Sequence, residues 1–283
     1  MKNFSFSGLK NKVCVITGGA GVIGETLCKA MAAVGIHVAI LDIDEAKSRG
    51  LAKEISEEYG VKCIGLKANV LDKESLIQAR ENIIGQLGTI DFLINGAGGN
   101  SPKATTQIEE ILDKDLNGLE TSFFGLETEA FDKVFSLNFT GTLIPTMVFA
   151  EDMVKRKNGV VLNISSMNSY RPLTKIPAYS AAKASINNFT QWLAVHLAKV
   201  GIRVNAIAPG FFLTQQNRFL LIDEKTGQAT PRGNKIIGST PMGRYGDPEE
   251  LQGTMLFLLS ELSEFITGIV IPVDGGYSAY GGV

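Results

Sequence analysis

Residues that build disulfides and metal centres are scarce in this sequence. Its 283 residues include three cysteines and two histidines. Cys14, Cys28 and Cys63 lie in apolar segments without C-x-x-C spacing, so we expect buried thiols and no disulfide or metal site. His37 and His196 are far apart and have no neighbouring ligand residue, which argues against zinc-dependent chemistry. This cysteine usage favours a reducing compartment.

The sequence also lacks a strong net charge and a long apolar run. Lys and Arg number 27 and Asp and Glu 29, so no basic field attracts nucleic acid or anionic lipid. No apolar run approaches the ~20 residues that span a bilayer, and residues 1–10 contain no signal-peptide core. We therefore predict a cytoplasmic protein with a small-molecule partner and without a nucleic-acid or membrane partner.

Seven short apolar runs alternate with helical patterns along the whole chain. They span residues 13–16, 37–41, 63–67, 92–94, 160–164, 204–208 and 269–273. Continuous apolar strands are typical of a parallel sheet covered on both faces by helices. We predict one α/β domain over residues 1–283, a Rossmann-like doubly wound parallel sheet of about seven strands with helices on both faces.

A glycine-rich turn follows the first run and precedes a helical pattern. It contains Gly19-x-Gly21-x-x-Gly24, the spacing of a dinucleotide fingerprint. Glycine lets the backbone turn tightly and come close to a pyrophosphate, while the N–H groups of the helix start face the anion. The segment therefore predicts a phosphate cradle.

Acidic and amide side chains follow the second and third runs. Asp42 lies 18 residues beyond Gly24, close to the ~20-residue interval at which a carboxylate meets the adenosine ribose. A carboxylate repels a 2′-phosphate, so we predict NAD and not NADP. A helix cap is the alternative role of Asp42, although Asp44 could serve as that cap. Asn69 is predicted to accept a hydrogen bond from adenine, or alternatively to stabilise a turn.

A tyrosine and a lysine four residues apart suit the chemistry of ketone reduction. Such a reaction delivers a hydride to carbon and a proton to oxygen, and Tyr179 is the predicted proton donor. Lys183 falls on the same helix face and is expected to lower the pKa of that phenol. Ser166, thirteen residues before Tyr179, is expected to donate to the substrate oxygen. Taken alone, Tyr179 could instead be an aromatic residue packed on a helix face.

Together these motifs resemble the short-chain dehydrogenase/reductase family over nearly the whole chain. The resemblance rests on the glycine turn, Asp42, Asn95-Gly96-Ala97-Gly98, Asn138, Ser165-Ser166, Tyr179-x-x-x-Lys183, Pro209-Gly210 with Thr214, and Asp274-Gly275-Gly276. It implies a catalytic set of Asn138, Ser166, Tyr179 and Lys183. By resemblance, Asn138 holds a water that links Lys183 to solvent, and Lys183 bonds the nicotinamide ribose.

The resemblance also implies the cofactor contacts. Thr214 is expected to bond the nicotinamide carboxamide, with a turn role as the alternative. Three positions depart from the usual pattern: Val22 stands where glycine is normal, Gly96 where asparagine is, and Asn69 where aspartate is. The predicted cofactor-binding residues are Gly18, Gly21, Val22, Ile23, Gly24, Asp42, Asn69, Val70, Asn95, Ala97, Gly98, Tyr179, Lys183, Pro209, Gly210, Phe212 and Thr214.

Two longer stretches, near 100–129 and 211–245, are predicted insertions that contact the substrate. The first is longer than a strand-to-helix connection needs, so we predict a lid, with surface decoration as the alternative. Polar and basic side chains suit a hydroxylated, anionic ligand. The predicted substrate-binding residues are Asn100, Ser166, Asn168, Arg171, Lys175, Gln216 and Arg218.

Five segments narrow the resemblance: residues 95–100 (Asn-Gly-Ala-Gly-Gly-Asn), 165–169 (Ser-Ser-Met-Asn-Ser), 208–212 (Ala-Pro-Gly-Phe-Phe), 215–218 (Gln-Gln-Asn-Arg) and 278–283 (Ser-Ala-Tyr-Gly-Gly-Val). They resemble the mannonate-reductase branch of the family. That resemblance implies NADH-dependent interconversion of D-fructuronate and D-mannonate. A reductase of another keto-sugar acid, such as a gluconate 5-dehydrogenase, remains open, as does a non-catalytic NAD-sensing protein. By family analogy we also expect a homotetramer, in which the apolar residues of the helix that begins near Tyr179 could face another subunit.

Overall fold

Seven parallel strands form one sheet at the centre of the molecule. A computed structural model describes residues 5–214, 218–223 and 226–282. The strand order is β3-β2-β1-β4-β5-β6-β7, which reverses direction between β1 and β4. The strands are β1 (Val13–Thr17), β2 (His37–Asp42), β3 (Cys63–Lys67), β4 (Phe92–Asn95), β5 (Gly159–Ile164), β6 (Ile202–Pro209) and β7 (Val270–Val273). The predicted doubly wound parallel sheet is confirmed, with each run within about two residues of its strand.

Helices follow the strands and have clear end signals. The helices of the described residues are α1 (Val22–Ala33), α2 (Glu45–Tyr59), α3 (Lys73–Leu87), α4 (Thr128–Phe135), α5 (Gly141–Arg156), α6 (Pro177–Leu197), α7 (Arg218–Leu221), α8 (Pro231–Gly238) and α9 (Gln252–Leu259). The carboxylate of Asp44 accepts from the Lys47 N–H and caps α2, which ends at Gly60 with φ of 67°. A wide π-helical turn, Ser136–Thr140, joins α4 to α5.

The apolar core lies on both faces of the sheet. Alternate residues of β1 point to opposite faces, so Ile16 packs with α1, α2 and α9, whereas Val15 packs with α3, α5 and α6. All five residues of β1 are buried. This two-sided burial explains why the strands are continuously apolar in sequence.

The two predicted insertions have little regular structure. The first insertion, residues 100–129, contains four short 3₁₀ turns, and Phe123 and Phe124 in it are largely exposed. The second insertion, residues 211–245, carries α7 and α8. Across the described part of the chain, none of the helices combines the length and the apolar character that crossing a bilayer requires.

Candidate active site

A groove of about 680 Å³ runs along the carboxyl ends of the strands, where the strand order reverses. Its size is that of an ordinary ligand site, and its position is the one at which open α/β sheets bind ligands. Ile43, Ala68, Leu137 and Phe211 line it without having been predicted. The predicted residues that line it are Gly18, Gly21, Val22, Ile23, Gly24, Asp42, Asn69, Val70, Ala97, Gly98, Gly210, Phe212 and Thr214.

The glycine turn leaves its backbone open to the groove. A Cβ on Gly24 would lie 2.5 Å from the carbonyl oxygen of Gly18, and Gly18 itself has φ of +64°. Gly21 is the N-cap of α1 and Val22 its first residue, so the departure from the usual glycine falls at the helix start. The first N–H groups of a helix have no intrahelical partner. The turn therefore fits the pyrophosphate of a dinucleotide, which needs close backbone approach and free N–H donors.

Asp42 lies at the end of β2 and faces the groove. Its Oδ2 accepts from the Ala20 N–H at 3.1 Å and its Oδ1 from the Asp44 N–H at 3.1 Å. Asp44 caps α2, so the alternative role of Asp42 as that cap is wrong. A carboxylate has about four acceptor sites, so Asp42 retains capacity for ribose hydroxyls while being held by the glycine turn.

Two amide side chains near the groove make local contacts. Asn69 Oδ1 accepts from the Leu71 N–H at 3.0 Å, the turn interaction named above as its alternative role. Asn69 also lines the groove, so its adenine contact stays a prediction. Asn95 is buried, and its amide donates to Thr146 and Asn163 at 2.9 and 2.8 Å. Its predicted cofactor role is therefore corrected for the side chain, which turns into the core and ties β4 to α5 and β5.

A smaller cavity of about 220 Å³ shares Ile23, Gly24, Gly96, Gly98 and Gly210 with the groove and brings three predicted catalytic residues together. Ser166 follows β5, and Tyr179 and Lys183 come from successive turns at the start of α6. Pro209, at the end of β6, lines the same cavity. The topology thus brings two hydroxyl groups and one ammonium to the end of the groove.

Burial dominates the electrostatics of these three residues. It raises the pKa of Tyr179 above its ordinary 10.0, while the hydrogen bond with Ser166 acts in the opposite direction. Burial also lowers the pKa of Lys183 to about 8. The Lys183 ammonium donates to the Ile164 carbonyl at 2.8 Å and lies 5.5 Å from the centre of the Tyr179 ring. The predicted lowering of the pKa of Tyr179 is therefore wrong for this arrangement, because burial raises that pKa.

Asn138 lies in the π-helical turn and fixes the loop after β4. Its Nδ2 donates to the carbonyls of Gly99 and Val134 at 2.7 and 2.8 Å, and its Oδ1 accepts from the Gly99 N–H at 3.2 Å. A Cβ on Gly98 would lie 2.5 Å from Asn138 Oδ1 and 3.3 Å from Lys183 Nζ. Asn138 is therefore close to Lys183, but both of its amide protons are already bound. Its predicted role in holding a water thus stays a prediction, limited to what Oδ1 can accept.

The predicted substrate residues divide into two groups. Asn168 lies just after Ser166, and its buried Oδ1 has no hydrogen-bond partner. The Arg171 side chain is exposed and makes no hydrogen bond or ion pair within the described residues. Burial raises the pKa of Tyr277, and the charge of Arg171 acts in the opposite direction. Neither Asn168 nor Arg171 lines the groove or the smaller cavity, but both have unused hydrogen-bonding capacity near Ser166 in the chain.

The second group is Asn100, Lys175, Arg218 and Gln216, of which the first two bind atoms of the loops. Asn100 Nδ2 donates to Thr105 at 2.9 Å, and Lys175 Nζ donates to the carbonyl of Gln107 at 2.6 Å. Arg218 is exposed on α7, outside the residues that line the two cavities, and Gln216 lies outside the described residues. The sequence reasoning also missed Phe211 of the groove, whose ring packs edge-on against Tyr277 at 5.2 Å. The signal was an aromatic pair directly after the end of β6.

Comparisons with known proteins agree with this geometry. The family described as Enoyl-(Acyl carrier protein) reductase matches residues 18–278. An uncharacterized oxidoreductase of Haemophilus influenzae is 51% identical, covering 97% of this chain and 96% of that protein. The uncharacterized oxidoreductase UxuB of Bacillus subtilis is 50% identical, covering 97% and 98%. The 5-keto-D-gluconate 5-reductase of Escherichia coli K12 is 32% identical, covering 96% of each.

A solved structure is similar over almost the entire fold. It is a Haemophilus influenzae protein, named provisionally as a D-mannonate oxidoreductase and crystallised with bound NAD. Its TM-score is 0.92 at 51% identity, covering 97% of this chain and 98% of that one. The predictions of an oxidoreductase and of NAD as its cofactor are confirmed at the level of the family. From its strand order, its groove and these relatives, the chain belongs to the short-chain dehydrogenase/reductase family.

Proposed function

We propose that this oxidoreductase uses NAD(H) to interconvert a keto-sugar acid and its hydroxy acid, with D-fructuronate and D-mannonate as the preferred pair. The observation that carries the proposal is the position of Tyr179 and Ser166 at the end of the dinucleotide groove, with the unpaired Arg171 on the loop that follows Ser166. The hydroxyl groups of Tyr179 and Ser166 can donate to a carbonyl oxygen during its reduction, and the Arg171 guanidinium can bind a carboxylate of the substrate.

The reaction divides between cofactor and protein. Bound NADH supplies the hydride. Gly18, Gly24 and the start of α1 would hold its pyrophosphate and Asp42 its adenosine ribose, as the shape of the groove allows. Tyr179 donates its phenolic proton to the carbonyl oxygen as that oxygen becomes negative. The Ser166 hydroxyl, hydrogen-bonded with Tyr179, donates to the same oxygen and aligns it.

Two further groups recognise the substrate in this proposal. The buried Oδ1 of Asn168 accepts a hydrogen bond from a sugar hydroxyl and so gains the partner that it lacks. The Arg171 guanidinium binds the carboxylate through two parallel hydrogen bonds. A sugar acid satisfies both groups, whereas an apolar ketone satisfies neither.

Oxidation of NADH with a panel of substrates tests the proposal. We expect turnover with D-fructuronate, weaker turnover with 5-keto-D-gluconate, and little with D-fructose, which lacks the carboxylate. Arg171→Met should raise the KM for the acid roughly 10- to 100-fold, the loss expected for a charged hydrogen bond, and leave the KM for D-fructose unchanged. Equal turnover of acid and neutral sugars would contradict the carboxylate assignment.

A gluconate dehydrogenase is the second candidate, favoured by the 32% identity to the 5-keto-D-gluconate 5-reductase. The same panel separates the two, because kcat/KM would then be higher for 5-keto-D-gluconate than for D-fructuronate. A non-catalytic NAD sensor would bind NADH and reduce none of the substrates. The proximity of Tyr179, Ser166 and Lys183 argues for catalysis, since a sensor needs only the cofactor groove.

The proposed assembly is a cytoplasmic homotetramer. Trp192 and Val195 on α6 are 58% and 80% exposed, and His196 stacks on Trp192 with ring centres 4.8 Å apart. Such an apolar helix face suits contact with another subunit. Light scattering during size-exclusion chromatography tests the proposed oligomeric state. We expect the mass of a tetramer, and the mass of a monomer at micromolar concentration would contradict the proposal. The three unpaired cysteines support a reducing location.

A further inference from the structure

The first insertion is held by two lysines through one short stretch, residues 106–109. The Thr106 N–H donates to the Lys175 carbonyl at 2.9 Å, and Lys175 Nζ donates to the Gln107 carbonyl at 2.6 Å. The Glu109 carboxylate forms an ion pair with Lys235 of α8. Lys175 belongs to the loop that precedes α6 and Lys235 to the second insertion, so three segments meet at this stretch.

These contacts lie on two sides of the substrate end of the site. Lys175 is two residues before α6, whose first turn carries Tyr179. On the other side, burial raises the pKa of Tyr277, and the nearby charges of Lys235 and Arg171 act in the opposite direction. The Tyr277 ring packs edge-on against Phe211 of the cofactor groove. The stretch 106–109 thus extends from the start of the catalytic helix to α8.

The stretch is also braced inside the insertion. The Gln107 N–H donates to the Thr121 carbonyl at 2.9 Å, and the Thr106 hydroxyl donates to the Ile108 carbonyl at 2.7 Å. Thr106 is buried. Because residues 106–108 are fixed by these bonds, Glu109 is presented to Lys235 at the end of an ordered segment, and its ion pair joins one insertion to the other.

We propose that Glu109 and Lys235 are positioning residues that clasp the two insertions together over the substrate. Lys235 is paired with the Glu109 carboxylate and Lys175 is bound to the Gln107 carbonyl, so both side chains hold the first insertion. The clasp sets how tightly the closed site retains any substrate and leaves hydride transfer alone. Its kinetic test rests on the proposed function, whereas its structural test does not.

Amide hydrogen exchange of peptides from residues 100–129 is the structural test. Lys235→Glu should expose these amides to faster exchange, since two carboxylates then face each other. The double variant Glu109→Lys/Lys235→Glu restores an opposite pair and should return exchange toward that of the wild type. Lys175 and Arg232 act on Glu109 electrostatically, so we expect partial restoration. Glu110→Gln removes the neighbouring carboxylate, which attracts Lys235 without a hydrogen bond, and should have a much smaller effect.

Kinetics give the second readout. The pair is exposed, and exposed ion pairs are weak, so Glu109→Gln and Lys235→Gln should raise the substrate KM only about two- to fivefold. The effect should be equal for D-fructuronate and D-fructose, and kcat and the KM for NADH should be unchanged. A KM effect confined to the acid would assign Lys235 to the carboxylate and overturn the clasp.

The two proposals fail in different ways. If none of the keto acids is reduced, the proposed function fails and the exchange experiment still decides the clasp. If exchange of residues 100–129 is the same in Lys235→Glu as in the wild type, or as fast in the double variant as in Lys235→Glu, the clasp is overturned whatever the substrate is.

Discussion

The two ends of the active site are built on different principles. At the cofactor end, the backbone sets the shape: the turn holds Gly18 at positive φ and leaves no room for a Cβ on Gly24. At the substrate end, contacts between distant loops set the shape, as in the pairing of Glu109 with Lys235. Cofactor binding should therefore weaken sharply when a single atom is added to the turn. Substrate binding should instead weaken gradually as side-chain contacts between the loops are removed.

The largest effect should come from the residue at which the two ends meet. Tyr179→Phe removes the proton donor but keeps the ring, so we expect kcat to fall by about 10²- to 10⁴-fold, the usual worth of general acid catalysis. The Kd for NADH, measured by fluorescence titration, should stay within about twofold, since the change leaves the groove intact. Tyr170→Phe is the matched control, because that hydroxyl donates to Val270 outside both cavities. Full turnover by Tyr179→Phe would refute the mechanism.

Next in size is the smallest change at the cofactor end. In Gly24→Ala the new Cβ would lie 2.5 Å from the Gly18 carbonyl oxygen, so the turn must shift. We expect the KM for NADH to rise by at least about tenfold, as a displaced phosphate cradle loses charge-assisted hydrogen bonds. Gly21→Ala, whose Cβ would lie 3.3 Å from the same oxygen, should have a much smaller effect. Thermal melts with and without NADH would separate lost binding from lost stability.

The same contrast explains which features the sequence predicts. Strands, the glycine turn and the Tyr179–Lys183 spacing are local patterns, because the residues that determine each of them lie within a few positions of one another in the sequence. The direction of a strand-end side chain is less local. Asn95 was expected in the groove, but its amide binds Thr146 and Asn163, which are 51 and 68 residues away. A polar side chain at the end of a strand can point either into the groove or into the core, and the sequence alone does not show which partners it will bind.

Electrostatic predictions failed for a related reason. The spacing of Tyr179 and Lys183 places them on one helix face, but it does not reveal that the fold buries the phenol and so raises its pKa. The contact between the insertions was likewise not predictable, since Glu109 and Lys235 are separated by 126 residues and both lie outside long regular elements. Pairing between such residues depends on how the loop that carries Glu109 packs against the short helix α8.

An effect of intermediate size is expected from the charge of Asp42 at the cofactor end of the site. Asp42→Asn removes the carboxylate that repels a 2′-phosphate, and it turns one acceptor of the Ala20 and Asp44 N–H groups into a donor. We expect the preference for NADH over NADPH to shrink about tenfold, mostly through a higher KM for NADH. Asp44→Asn should destabilise α2 slightly and leave the preference unchanged. An unaltered preference in Asp42→Asn would remove Asp42 from cofactor selection.

The smallest effect, a few-fold, should be the dependence on pH near the buried pair. Lys183 has a pKa lowered to about 8, and that of Tyr179 is raised, so Lys183 is the first of the two to lose its proton as the pH rises. Tyr179 stays protonated at this pH, so the proton donor for ketone reduction is retained, while the developing oxyanion loses a nearby positive charge. The kcat/KM for ketone reduction, measured across this range, should therefore fall a few-fold as the pH rises through about 8.

The pH dependence of stability tests the lowered pKa of Lys183 independently of activity. The folded pKa of Lys183 is below the ordinary 10.5, so between about pH 8 and 10.5 the unfolded chain binds the proton that the folded chain has released. This lysine then contributes stability that grows as the pH rises through that window and is absent below it. Urea unfolding of the cofactor-free protein at pH values across the window would measure it, after subtraction of the same series for Lys183→Met, which cannot titrate. A wild-type series parallel to that of the variant would show that Lys183 keeps its charge in the fold and that the buried ammonium has a counter-charge near it.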